Sequence, residues 1–251
     1  MGVGSGRAKR EQPSWPWVLM YHSVALYNED PFRVTVSPHR FKQQMGWLAA
    51  HGWRGVSVRE LRAAQSGGDA GGLVGLTFDD GYADFASSVL PLLVSQGFTA
   101  TVYVVAGRLG GHNDWEEYGP RKPLMTAAQV REVAAAGIEV GSHGLQHVRL
   151  PMADDARLWA AVADSRDVLS QVISAEVLGF SYPWGDVDAR TIQAVRKAGY
   201  EYGCAISPRG LTGAYALPRT YIREADGRLR LRAKRLRYRL ALGSAGGPSP
   251  S

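Results

Sequence analysis

Between about residues 16 and 222 the apolar positions alternate between two rhythms. Short continuous runs rich in Leu, Val and Phe read as buried strands. They fall at 17–20, 56–58, 73–78, 100–105, 138–141, 177–182, 202–206 and 217–222. Between them, apolar residues recur every three or four positions, the spacing of one helix face. That rhythm predicts helices over 38–51, 59–64, 85–95, 126–136, 154–174 and 190–198. Ser37-Pro38 and Thr126-x-x-Gln129 give two of these helices explicit starts, and Gly52, Gly97 and Gly137 give stops. Strand and helix in strict alternation predict an α/β fold with a parallel sheet, and about seven units fit a closed or nearly closed barrel. No internal repeat is visible.

Three stretches break the alternation. Residues 1–14 are Gly-rich and basic and are expected to be disordered, leaving 15–222 as the barrel domain. Residues 106–124 form a long loop with Trp115, Glu116, Glu117 and Tyr118, and long loops in compact domains tend to be functional. Residues 223–251 form a basic tail. In it Leu229, Ala233, Leu236 and Leu240 share one face of an expected amphipathic helix over 228–240.

Charge changes the picture only in that tail. Between Arg223 and Arg239 stand eight basic and two acidic residues, an excess of six that accounts for the whole net charge of +6. The domain itself is electrically balanced, and no aromatic interleaving or reader motif accompanies the basic stretch, so nucleic acid is not an expected partner. The tail helix is expected to rest on the domain's own surface, on an anionic membrane or on a partner protein. A single cysteine, Cys204, excludes a disulfide framework and a cysteine zinc site. No apolar run is long enough to cross a membrane, and residues 13–22 lack the form of an export signal. The expectation is a cytoplasmic or membrane-peripheral protein, or an extracytoplasmic one if the start site is misassigned.

The strand opening at Leu73 ends in Asp79-Asp80-Gly81. Two carboxylates at the mouth of a core strand repel each other and resist desolvation, so a cation is expected beside them unless the triplet is a solvated turn. His143 and His147, four apart after another strand, reach one point if the segment makes a helical turn. With Asp80 they supply an N, N, O ligand set that leaves coordination open for water, the pattern of catalytic zinc. Cobalt, nickel or iron would accept the same ligands. Asp79 is then placed to take a proton from water attacking a carbonyl.

Three motifs in order, Thr77-Phe78-Asp79-Asp80-Gly81-Tyr82, Gly141-Ser142-His143-Gly144-Leu145-Gln146-His147 and Phe180-Ser181-Tyr182-Pro183-Trp184-Gly185, resemble those of the polysaccharide deacetylases, the NodB-homology or family 4 carbohydrate esterases. The opening around Tyr21-His22-Ser23 is similar to the start of many members. The resemblance implies a distorted (β/α) barrel that removes N-acetyl groups from an amino-sugar glycan or glycan precursor. It implies Asp79 as general base, Asp80, His143 and His147 as ligands of one divalent ion, and the Trp184 backbone N–H as an oxyanion donor. Tyr82, Tyr182 and Pro183 in the motifs, with Trp115 in the long loop, become candidate substrate contacts.

Two departures matter. Ser181 stands where many members carry arginine, and no histidine follows His147 to act as the general acid. His22, at the end of the first strand, is the candidate acid, and Arg219 the candidate guanidinium beside Asp79. Two other readings stay open at this point: cleavage of a non-sugar amide on the same fold, and a non-catalytic glycan-binding protein.

Overall fold

A computed structural model of the chain describes residues 16–206 and 213–244. The stretch expected to be disordered, 1–14, and the end of the tail lie outside the described residues. Among the described residues ten strands form in order: β1 Val18–Tyr21, β2 Ser23–Val24, β3 Thr35–Val36, β4 Arg54–Val56, β5 Leu73–Phe78, β6 Thr101–Val104, β7 Glu139–Ser142, β8 Gly179–Ser181, β9 Tyr202–Cys204 and β10 Thr220–Tyr221. Among the described residues seven α-helices accompany them: α1 Pro38–Ala50, α2 Val58–Ser66, α3 Leu90–Ser95, α4 Ala127–Ala135, α5 Asp155–Ile173, α6 Ala189–Lys197 and α7 Arg228–Ser244.

Seven strands follow one another in the order β10-β1-β5-β6-β7-β8-β9, every pair parallel, and β4 pairs with β5 beside this path. An isolated parallel bridge between Cys204 and Leu217 joins β9 to the segment entering β10. The result is the distorted parallel barrel that the alternating pattern predicts. Because β10 lies against β1, residues far apart in sequence meet at one rim.

The cap signals act as their chemistry requires. Ser37 accepts from the Arg40 N–H at 3.2 Å, with Pro38 opening α1. Thr126 and Gln129 exchange both bonds of a capping box, at 3.0 and 3.3 Å. The strand expected at 56–58 ends early, because Ser57 caps α2 by accepting from the Glu60 N–H at 3.1 Å. The helix expected over 85–95 begins as a π-turn, Phe85–Val89, before α3. The small parallel sheet of β2 and β3 was not visible in the pattern. Asp30 holds it by accepting from the Val34 and Thr35 N–H groups at 3.0 and 2.8 Å.

Large aromatics fill the barrel interior where glycines make room. A Cβ on Gly141 would stand 2.4 Å from the Tyr103 ring, so only glycine fits in β7 beside it. Tyr103 Oη pairs with Cys204 Sγ at 3.1 Å, and Tyr202 Oη donates to Glu139 Oε1 at 2.8 Å. Both cross-links sit below the C-terminal rim and leave it to polar groups.

The tail helix forms, but its apolar stripe faces outward. Leu231 is 1% exposed and packs inward, whereas Leu229 is 83% and Leu236 57% exposed. Other contacts fix this rotation. Lys234 Nζ reaches Asp226 and the Tyr221 carbonyl, Tyr238 Oη donates to the Pro16 carbonyl at 2.9 Å, and the Arg235 guanidinium lies 3.8 Å from the Trp53 ring centre.

Candidate active site

The sheet delivers three polar segments to one rim. β5 ends in Asp79 and Asp80, β7 leads to His143, and β8 leads to Tyr182-Pro183-Trp184. Five non-glycine residues among those described have positive φ, and three of them are here: Asp80 at 71°, His147 at 55° and Trp184 at 63°. Such backbone costs about 1–3 kcal/mol per residue and persists where the surroundings enforce it.

The two histidines converge without a helical turn, which corrects the expected geometry. Gly144 at φ 77° and His147 turn the chain as an open loop. That loop is pinned from outside by the Ala106 and Gly107 N–H groups, which donate to the Gly144 and Leu145 carbonyls at 3.0 and 2.8 Å. His143 Nδ1 bonds the Ser181 carbonyl at 2.8 Å, aiming Nε2 at Asp80 Oδ1, 3.4 Å away. His147 Nε2 lies 3.3 Å from the same oxygen. Ligand atoms of all three residues fall within 4.8 Å of one another.

Asp80 Oδ1 is fully buried and has no hydrogen-bond partner among the described residues. A carboxylate oxygen left so, with two imidazole nitrogens turned toward it, is poorly satisfied by protein alone. The donor set of one carboxylate and two imidazoles suits a divalent transition metal, so Asp80, His143 and His147 could hold one.

Asp79 has a different environment. Arg219 donates from Nη1 to Oδ1 at 2.6 Å and from Nη2 to Oδ2 at 2.7 Å. It also reaches Ser181 Oγ at 2.9 Å and Thr77 Oγ1 at 3.1 Å. Arg219 therefore stands where the third motif lacks its arginine. Ser181, read from sequence only as a missing charge, bridges the pair, its Oγ lying 3.4 Å from Asp79 Oδ2. A small hydroxyl in place of a long side chain was the available sign that an arginine could enter from elsewhere.

The charges order the protonation states. Burial opposes ionisation of Asp79, but Arg219, His143 and His22 outweigh it and hold the carboxyl below its ordinary value. Burial likewise opposes ionisation of Asp80, and the facing imidazoles hold it well below. Burial lowers His22, against the pull of Asp80 and Asp79. His143 is raised despite its burial, through Asp79 and Asp80.

Of the remaining candidates, His22 lies at the rim with its ring edge-on to Tyr221 at 5.5 Å and its buried Nδ1 unpartnered among the described residues. Trp115 stacks on His147 at 4.4 Å and 23°. The Trp184 ring, partly exposed, donates from Nε1 to the His147 carbonyl at 3.1 Å and carries the Arg149 guanidinium at 4.6 Å. His147 is thus held between two indoles. Tyr82 is buried with Oη donating to Glu116 Oε1 at 3.3 Å. Pro183 is buried as well. Tyr182 faces away from the rim: its ring is in the core and its Oη donates to the Tyr215 carbonyl at 2.9 Å.

A sequence profile described as polysaccharide deacetylase matches residues 67–203. The chain belongs to the polysaccharide deacetylase family. The matched segment carries all three motifs but ends before Arg219 and begins after His22, so the case for those two rests on geometry. The chain is 29% identical over 219 residues to the Bacillus subtilis polysaccharide deacetylase homologue YxkH, covering 85% of this chain and 74% of that one. It is 27% identical over 230 residues to the Escherichia coli poly-β-1,6-N-acetyl-D-glucosamine N-deacetylase, covering 76% of this chain but only 34% of that protein. The fold matches the Streptococcus pyogenes deacetylase PplD, solved with acetate, at a TM-score of 0.74 and 23% identity, covering 89% and 99% of the two chains.

Proposed function

We propose that this polysaccharide deacetylase hydrolyses the N-acetyl group of an amino-sugar glycan or glycan precursor, releasing acetate and a free amine. The observation that carries this reading is the buried, unpartnered Asp80 Oδ1 between two imidazoles, with an arginine-clamped carboxylate beside it. Asp80, His143 and His147 would hold one divalent ion, Zn²⁺ by ligand type, with Co²⁺, Ni²⁺ or Fe²⁺ as alternatives. When bound, such an ion supplies Lewis acidity toward the acetyl oxygen and acidifies water.

Asp79 is the general base. Its carboxyl is ionised at neutral pH, and Arg219 fixes both oxygens so that the proton of the attacking water has one destination. His22 is the general acid that protonates the departing nitrogen, so the proton count closes with acetate and amine as products. The Trp184 N–H, in a turn locked by its left-handed backbone, donates to the oxyanion as charge develops. Trp115 and Tyr82 border the site from the long loop and the first motif. Pro183 shapes the turn, and Tyr182 contributes through its backbone position.

Acetate release measured across N-acetylglucosamine oligomers, peptidoglycan fragments and simple acetamides, with metal quantified in the same samples, tests this reading. Turnover of an amino-sugar substrate is expected. Cleavage of acetamides alone, or stoichiometric metal with no hydrolysis of any N-acetyl substrate, would overturn it.

A further inference from the structure

The outward stripe of α7 has no role in the barrel. Leu229, Ala233 and Leu236 stand at i, i+4 and i+7, one narrow face of the helix, and all three are exposed. Leu240 continues the register and is 64% exposed. The opposite face is committed to the domain through Leu231, Lys234, Arg235 and Tyr238, so the helix cannot roll to hide its leucines.

Charge says what the stripe faces. No acidic residue occurs anywhere in α7. Arg230 and Arg237 lie on one side of the leucines and Arg232 on the other, all exposed. The neighbouring α1 adds exposed Lys42 and likewise has no acid, its half-buried Arg40 lying 3.9 Å from Glu224. An apolar strip edged on both sides by arginine matches the depth profile of a bilayer interface, with leucine at the acyl boundary and guanidinium at anionic headgroups. A nucleic acid would use the arginines and leave the leucines in water.

We infer that α7 is an interfacial helix which seats the enzyme on an anionic lipid surface. The orientation follows from its course. Lys234 reaches the Tyr221 carbonyl, at the C-terminal end of β10, and Tyr238, one turn further on, reaches Pro16, ahead of β1. The helix therefore runs along the barrel flank from the catalytic rim toward the opposite end. With its outer face on the bilayer, the barrel lies on its side and the site opens across the membrane surface. This inference rests on none of the catalytic assignments.

The test is co-sedimentation of the full chain with phosphatidylcholine vesicles, with and without phosphatidylglycerol. Binding is expected to anionic vesicles and to weaken with salt. The double variant L229S/L236S is expected to lose about a hundredfold or more in vesicle partitioning, two leucines contributing roughly 1.5 kcal/mol or more each when buried. R230Q/R237Q is expected to lose about thirtyfold on anionic vesicles and nothing on neutral ones, at about 1 kcal/mol per charge. Acetate release from soluble oligomers should be unchanged in both. A Leu236→Trp reporter gives an independent reading through a blue shift on anionic vesicles. Absence of vesicle binding, an unshifted reporter, parental binding by L229S/L236S, or tighter binding to duplex DNA than to anionic vesicles would each overturn the inference.

Discussion

Arg219 and Asp79, 140 residues apart in the chain, meet through two parallel hydrogen bonds of 2.6 and 2.7 Å in the buried rim of the barrel. A guanidinium makes this fork and an ammonium cannot. Arg219→Lys should therefore keep the charge but lose most turnover, by about 10–100-fold, read as kcat at saturating substrate. Arg219→Met leaves Asp79 buried and unpaired, and chemical denaturation should show a loss of about 3–5 kcal/mol.

The same pair sets a pH dependence of stability. Asp79 is held below its ordinary value, so its contribution is complete above the unfolded carboxyl value of about 3.9 and fades as pH falls toward the lower folded value. In Arg219→Met the desolvation of Asp79 is unopposed by the fork, so its folded value rises toward or past the unfolded one, and the part of the acid limb that Asp79 contributes should shrink or reverse. Thermal unfolding across an acid pH series reads this change.

On the proposed metal site, treatment with a chelator should abolish acetate release and leave the fold, since Asp80, His143 and His147 sit on a rim above a core that packs without them. Restoration by added divalent ions, ranked by recovered rate, would identify the preferred metal. Asp80→Asn and His143→Ala should each lower metal content, while Asp79→Asn should hold metal and lack activity.

His22 must carry a proton to act as an acid, and burial lowers its pKa. The alkaline limb of the pH–rate profile should accordingly lie below the ordinary histidine value of about 6.5. His22→Ala should erase that limb and cost about 10²–10⁴ in rate with metal content unchanged. Loss of metal in this variant would make His22 a ligand instead, and unchanged turnover would remove it from the chemistry.

Trp115, in the long loop, stacks on the His147 ring. Trp115→Ala should raise KM for glycan oligomers more than it changes kcat. A drop in metal affinity with KM unchanged would show that the indole serves only to steady His147.

The convergence of Asp80, His143 and His147 was legible because it depends on local spacing after strands: Asp80 follows β5 directly, and His143 and His147 share one loop. The barrel was legible for a related reason, since buried parallel strands read as continuous apolar runs. Long-range geometry was not. That Tyr182 turns into the core depends on room left by Gly203, whose Cβ would stand 3.0 Å from that ring. The tail's leucine stripe was visible as a stripe, but which face packs was decided by Leu231, Tyr238 and the polar anchors around Asp226.

β10 pairs with β1 through only two positions, Leu19 with Thr220 and Met20 with Tyr221. Arg219 enters the barrel at that seam, and His22 leaves it one residue beyond β1. The candidate metal residues hang instead on β5 and β7, interior strands with a partner on each side, β5 matched with β1 and β7 with β6 at four positions each. On the roles proposed above, fraying of this one edge would uncouple proton transfer from ion capture, leaving a protein that still loads a metal but no longer turns over.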